Sequence, residues 1–237
     1  MEQTNQLKSQ FHLFTQRRFL PFFITQFLGA FNDNLFKNAL LVIVVSTAAA
    51  GSDSSTNFTT NLAVGLFILP FFLFSTTAGQ LADTYDKAML MRRVKLAEIF
   101  IMLAGTYALM TENFNFMLVI LFLLGTQSAF FGPAKYSLIP QHLNNDELLA
   151  GNAQISMGTF GSILLGTLIG GWMVTLENGI AMLSGLIVLV SLIGWVSSRE
   201  IPEAPSENPG QKLRLNPFTE TSGNFRMARE NRTVFYC

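Results

Sequence analysis

The residues best placed to do chemistry in this chain are an acid and a base one helical turn apart inside an apolar run. Asp33 and Lys37 lie in Gln26-Phe-Leu-Gly-Ala-Phe-Asn-Asp-Asn-Leu-Phe-Lys37, within an apolar stretch running from about 19 to 50. That stretch exceeds the roughly 20 residues that cross a bilayer. A carboxylate at the middle of a spanning helix costs roughly 2.5–3.5 kcal/mol on insertion scales, so it does not face lipid. At about 100° per residue, Gln26, Gly29, Asp33 and Lys37 share one stripe, with Asn34 and Asn38 beside it and Phe27, Phe31 and Leu35 on the other side. Two chemistries fit. Asp33 and Lys37 neutralise each other as a structural pair, or the stripe binds a substrate or coupling ion, which is the default for intramembrane ionisable groups. Asn32 falls opposite the stripe and has a structural role.

The elements that must carry this stripe follow from composition. Half the residues are hydrophobic and 13% are charged, where a soluble domain carries roughly twice that charge. The apolar residues come in blocks, at about 19–48, 61–81, 96–110, 115–134, 148–176 and 180–198. The third block is the weakest, with Glu98 near its start, and Pro133 and Pro140 close the fourth. Lys8, Arg17 and Arg18 precede the first block, Lys87, Arg92, Arg93 and Lys95 lie between the second and third, Lys135 lies at the end of the fourth, and Arg199 follows the sixth. The other connections carry Asp53, Glu112 and Glu177 instead. Only Lys37 breaks a partition in which both termini are cytoplasmic. No cleavable signal is apparent. Cys237 is the only cysteine and His12 and His142 the only histidines, so no cofactor, metal site or disulfide framework is expected. No phosphate-cradling loop or nucleophile–His set occurs, which argues against an enzyme and against ATP-driven transport.

A further motif spans the second connection: Gly79-Gln-Leu81-Ala82-Asp83-Thr-Tyr-Asp86-Lys87, then Arg92 and Arg93. It resembles the cytoplasmic signature of the major facilitator superfamily, G-x-L-a-D-r-x-G-r-r. Thr84 stands where that pattern has Arg, and Asp86 where it has Gly. Together with the motif around Asp33 and with Gly132-Pro-Ala-Lys-Tyr136, the chain resembles the lysophospholipid transporter branch, especially members fused to an acyltransferase. The resemblance implies that Asp33 binds a polar headgroup, that Lys135 pairs its phosphate, and that Gly79, Leu81, Asp83, Lys87 and Arg92 form a cytoplasmic gate. For Lys135, snorkelling at a helix end is the alternative. Gly158, Ser162, Gly166 and Gly170 at four-residue spacing predict close helix packing. The Gly-Pro pair of the antiporter signature is absent from that helix.

The expected fold is an all-α membrane protein of six transmembrane helices, the N-terminal half of a major-facilitator fold with inverted three-helix repeats. A cytoplasmic segment covers 1–18, the helical domain 19–198, and a connector 199–237. The stretch 201–210 is Pro-rich and predicts a mobile connector. An interfacial helix is expected near 223–230, and the apolar residues from Thr233 read as the start of a truncated seventh helix. The expected function is inward movement of lysophospholipid across the bacterial inner membrane. Asp33, Lys37, Gln26 and Asn34 would line a cavity that a missing C-terminal half completes. The partners are then the bilayer and an amphipathic small molecule, with no nucleic acid. Two other readings are a transporter half anchoring an acyltransferase fusion and a self-contained six-span protein acting as a dimer.

Overall fold

The apolar blocks become six helices: α1 Leu20–Ala48, α2 Asp53–Thr84, α3 Lys87–Met110, α4 Phe114–His142, α5 Leu148–Val174 and α6 Gly179–Arg199, preceded by a 3-10 turn at Leu13–Thr15. The structure, a computed structural model, describes residues 12–48 and 53–206. Lys8, the basic residues Lys212, Arg214, Arg226, Arg229 and Arg232, the helix expected near 223–230 and the apolar residues from Thr233 lie outside the described residues.

Five of the six helices are long and apolar enough to span a membrane on composition alone. The remaining one, α3, carries Lys87, Arg92, Arg93, Lys95 and Glu98 in its first half. Its start is fixed by Asp86, whose Oδ1 accepts the Met89 N–H at 2.7 Å and satisfies one of the orphan donors of a helix N-terminus. Asn113 does the same for α4 through Phe116 N. Two boundaries depart from the sequence expectation. Helix α3 begins nine residues before Leu96, because Lys87 and Lys95 are buried in protein rather than held in a solvated loop. Helix α4 does not close at Pro133 or Pro140 but runs through both to His142. Each proline removes one backbone hydrogen bond, at a cost of about 3 kcal/mol in an ordinary helix. Burial of Ala134, Leu138 and Ile139 on the same turns holds the helix together there.

The packing has an internal two-fold pattern. Helix α1 packs most extensively on α5 and α2 on α4; then come α3 on α6, α3 on α4, and α1 on α6. Exchanging α1–α3 with α4–α6 leaves this set of pairs unchanged, as expected for two repeats of three helices. Two apolar cores lie at the two ends of the bundle. One gathers Leu13, Phe19, Phe22, Met91, Leu138, Ile139 and Ile155, the other Leu35, Phe36, Leu40, Met102, Leu121, Leu124 and Leu183. Between them the same helices bury Gln26, Asn32, Asp33, Asn34, Lys95, Glu98, Gln127, Lys135, Ser162 and Ser191. The bundle is therefore layered, apolar–polar–apolar.

The polar layer is welded by a buried ion pair that the sequence had marked only as a weak point of the third span. Lys95 Nζ lies 2.5 Å from Glu98 Oε2, with the side chains 2% and 1% exposed. Glu98 Oε1 accepts from Asn32 Nδ2 at 3.1 Å, and the same amide donates to Ile187 O at 3.1 Å. Asn32 thus joins α1, α3 and α6. Lys95 Nζ lies where a side chain on Gly29 would stand, so α1 and α3 close up only because residue 29 has none. At the helix ends, Arg18 fixes the start of α1 by donating to both Glu147 oxygens at 2.7 and 2.8 Å and to His142 O at 2.7 Å.

Helix α5 offers its small residues to α1. Gly158 lies against Phe23 and Gln26, while a Cβ on Gly170 would sit 2.5 Å from Leu35 O and 3.0 Å from its Cα. Ser162, fully buried, completes the stripe. Because the obstacle at Gly170 is backbone, Gly170→Val is expected to destabilise the bundle by about 1–3 kcal/mol or more, read as a lowered unfolding midpoint in detergent. For the ion pair, Glu98→Gln alone leaves Lys95 buried without a counter-charge and is expected to cost about 3–5 kcal/mol. The double change Lys95→Met with Glu98→Leu is expected to cost far less, because it removes both charges at similar volume. Equal losses from the single and double variants, in the same unfolding assay, would contradict this account of the pair.

Candidate functional site

Helix α1 directs its polar stripe into the layer between the two cores, where α4 and α5 meet it. Asp33 is 5% exposed. Its Oδ1 accepts from Gln127 Nε2 at 3.1 Å, and its Oδ2 accepts from the Ser128 hydroxyl. Gln127 Nε2 also reaches Ser128 Oγ at 3.2 Å, so both of its N–H groups are engaged. That fixes the amide orientation and leaves Gln127 Oε1 buried with no hydrogen-bond partner. The next residue, Asn34, spends its Nδ2 on Ala30 O at 2.7 Å and leaves its own Oδ1 unpartnered. Around the carboxylate, then, the unspent groups are acceptors. A buried acceptor without a donor costs about 1–3 kcal/mol, so this pole favours a ligand that donates.

Lys37 does not close an ion pair with Asp33. Its ammonium lies over the Phe67 ring of α2, 5.2 Å from the centroid, which supplies a cation–π contact instead. Asp33 remains within electrostatic reach of Lys37, and also of Lys95 and Glu98. The expected i, i+4 neutralisation is replaced by hydrogen bonds across helices. Asn38, beside the stripe, donates to Asn34 O at 2.9 Å and Thr167 Oγ1 at 3.1 Å.

Two turns before Asp33, roughly 10 Å along the α1 axis at 1.5 Å per residue, the chemistry has the opposite sign. Lys135 of α4 donates to Gln26 Oε1 at 3.0 Å and to Thr159 Oγ1 at 3.1 Å. Thr159 of α5 in turn reaches Gln26 Oε1 at 3.0 Å. With its oxygen turned to the ammonium, Gln26 leaves Nε2 buried and without an acceptor. That amide lies against Gly158, where a Cβ would approach Nε2 to 2.9 Å. Lys135 is 8% exposed, inside a continuous helix. It is not a snorkelling residue at a helix end. Here the unspent group is a donor, beside a buried cation with no carboxylate bonded to it. This pole favours an anion.

An aromatic ladder runs along α1 next to these poles. Phe23, Phe27 and Phe31 stack with centroids 6.2 and 6.4 Å apart and interplanar angles of 26° and 11°, each half-buried. The stripe thus has an apolar wall along its length.

The structure brings Asp33, Asn34, Gln26 and Lys135 into one layer and sets Lys37 at its margin. Gly79, Leu81, Asp83, Lys87 and Arg92 sit apart, at the α2–α3 end of the bundle. A Cβ on Gly79 would meet nothing within 4 Å, Lys87 is fully buried, and Arg92 donates to Ser198 O at 3.3 Å and Ile201 O at 2.6 Å. The sequence expectation missed Gln127, Ser128 and Thr159. A Gln-Ser pair inside the fourth apolar block is a visible signal; a lone Thr on a Gly-rich helix is not. Among the described residues no group of three or more His, Cys, Asp or Glu is placed to hold a metal.

The family model described as Major Facilitator Superfamily matches residues 22–237. A protein named lysophospholipid transporter LplT from Enterobacter sp. (strain 638) is 30% identical over 199 residues, which cover 84% of this chain and 47% of that protein. Proteins of the same name from Klebsiella pneumoniae (strain 342) and Cronobacter sakazakii are 28% and 24% identical over 83% and 86% of this chain, and 46% and 48% of their own lengths. The chain spans about half the length of the curated relatives it matches. With six helices, five of them long and apolar enough to cross a membrane, paired internal packing and a match over nearly its whole length, the chain belongs to the Major Facilitator Superfamily.

Proposed function

We propose that this chain is the N-terminal half of a transporter that moves lysophospholipid across the bacterial inner membrane by alternating access, with both its ends on the cytoplasmic side. The observation that carries the reading is the dipolar polar layer. An acceptor-rich pole at Asp33 suits an ammonium, and a donor-rich pole at Lys135, Gln26 and Thr159 suits a phosphate. The Phe23–Phe27–Phe31 ladder beside them suits an acyl chain. A zwitterionic lysophospholipid such as lysophosphatidylethanolamine has all three parts in one molecule. The relatives' printed name supplies the same substrate class, and their length implies a second half that completes the cavity near the midplane. The motif at 79–87 with Arg92 would serve as the gate on the cytoplasmic side.

The two poles make separable predictions in the complete transporter, assayed by lipid uptake in spheroplasts with expression measured in parallel. Asp33→Asn keeps the shape while removing the charge that pairs an ammonium and one of the two acceptor oxygens. Loss of a charged hydrogen bond of about 1.5–3 kcal/mol corresponds to a fall of roughly ten- to a hundredfold in uptake of lysophosphatidylethanolamine. Lysophosphatidylglycerol, which lacks the ammonium, should be affected much less. Lys135→Gln should lower uptake of both lipids alike, since both carry the phosphate. Normal uptake of both lipids by Asp33→Asn would remove Asp33 from the site.

A further inference from the structure

The segment after α6 does not leave the bundle. Its Pro-rich composition predicts a mobile connector, yet Ile201 and Ala204 are 1% and 0% exposed and belong to the apolar core at that end. The backbone of 201–206 is read by side chains and main chain from three helices. Lys87 N donates to Ala204 O at 2.9 Å, Lys87 Nζ to Pro205 O at 3.3 Å, and Gln141 Nε2 to the same carbonyl at 3.3 Å. Arg92 Nη2 takes Ile201 O, and His142 Nε2 lies 3.4 Å from Glu203 O. In return, Ala204 N donates to Asp86 Oδ2 at 2.8 Å and Ser206 Oγ to Asp83 O at 2.8 Å. Apart from those last two bonds, every one of these contacts is a donor of the bundle meeting a carbonyl of this segment.

Asp86 is the pivot of this arrangement. One of its oxygens caps α3 and the other holds the Ala204 amide. It is also one of the two positions at which the motif departs from the superfamily pattern, and a glycine there would have no carboxylate to offer. We infer that the ends of α2, α3 and α4 form a binding groove for an extended polypeptide backbone, that its occupant is the chain's own segment 201–206, and that Asp86 is the residue that captures it. The groove spends the motif's cations, Lys87 and Arg92, on connector carbonyls. The Asp83 carboxylate takes no bond from the described residues and stays available to a second half. The start of the connector then moves as one body with these six helices. Nothing in this depends on which lipid is carried.

Hydrogen exchange followed by mass spectrometry on the purified chain in detergent tests the groove with no substrate present. The Ala204 amide, which donates to Asp86, and the Lys87 amide, which donates to Ala204 O, are expected to exchange at least a hundredfold more slowly than unprotected ones. Asp86→Ser retains a helix cap but has no second oxygen to reach Ala204. It should speed exchange of both amides by tenfold or more while leaving the α3 amides from Leu90 onward protected. Ala204→Pro removes the same hydrogen bond from the other side and should loosen the Lys87 amide to a similar degree. Exchange of both amides at the unprotected rate in the unaltered chain overturns the proposal, and so does unchanged protection of the Lys87 amide in both variants.

Discussion

Charged and amide groups sealed between two apolar cores must find their partners inside the protein, and most of this architecture answers to that constraint. Neither lipid nor water reaches Lys95 or Glu98, so a helix carrying both is tolerable only if the two meet each other. Their meeting has consequences for backbone geometry. Glu98 draws in Asn32, Asn32 also holds the Ile187 carbonyl, and Lys95 takes the space beside Gly29. The rotation of α1 about its own axis is thereby set from behind. Once Asn32 points at α3 and α6, Asp33 must point toward α4, where Gln127 and Ser128 receive it.

The layer is incomplete on both sides, but its one unspent amide donor lies on the front, at Gln26. Asn32 uses both N–H groups on α3 and α6 and keeps only its Oδ1 unpartnered, while Gln26, Asn34 and Gln127 at the faces toward α4 and α5 also each keep a polar atom without a partner. Buried orphans of this kind are rare in native structures and ask for an explanation. A ligand that arrives with both signs of charge supplies one, since the donors and acceptors left over are sorted to opposite ends of the stripe. An apolar substrate would leave every one of them unpaid, and an anion alone would oppose Asp33.

Much of the fold was legible in the sequence because membrane spans are written in composition. Six apolar blocks and the segregation of Lys and Arg gave six helices, and four-residue spacing of small residues marked the face of α5 that meets α1. What failed were the rules that treat a residue by its neighbours in sequence. Pro133 and Pro140 read as helix ends, yet tertiary burial carries α4 past both. Lys37 at i+4 offered a neutralising partner for Asp33 as one of two readings, yet the ammonium goes to an aromatic ring on α2 and the carboxylate to two polar groups on α4. Lys95 and Glu98 read as loop charge and span defect, because a pairing that depends on a third helix has no signature along the chain. The segment 201–206 read as mobile from its prolines, whereas its carbonyls and two buried apolar side chains, Ile201 and Ala204, decide its fate.

A two-fold scaffold carrying a polar site has a further consequence. The two repeats exchange α3 with α6 and α1 with α4, so symmetry brings equivalent positions together at the α3–α6 face and at the face between α1 and α4. Both poles are built at the second of these. Asp33 of α1 is held by α4, and Lys135 of α4 is held by Gln26 of α1. Because the repeats are inverted, equivalent positions on α1 and α4 lie at mirrored heights in the membrane, and a single substitution on either helix polarises the site along the membrane normal. An acid on one repeat and a base on the other convert a symmetric seam into a dipole of fixed direction. Under the proposed function, a zwitterion entering that seam would meet a preferred orientation before a second half contributed any contact.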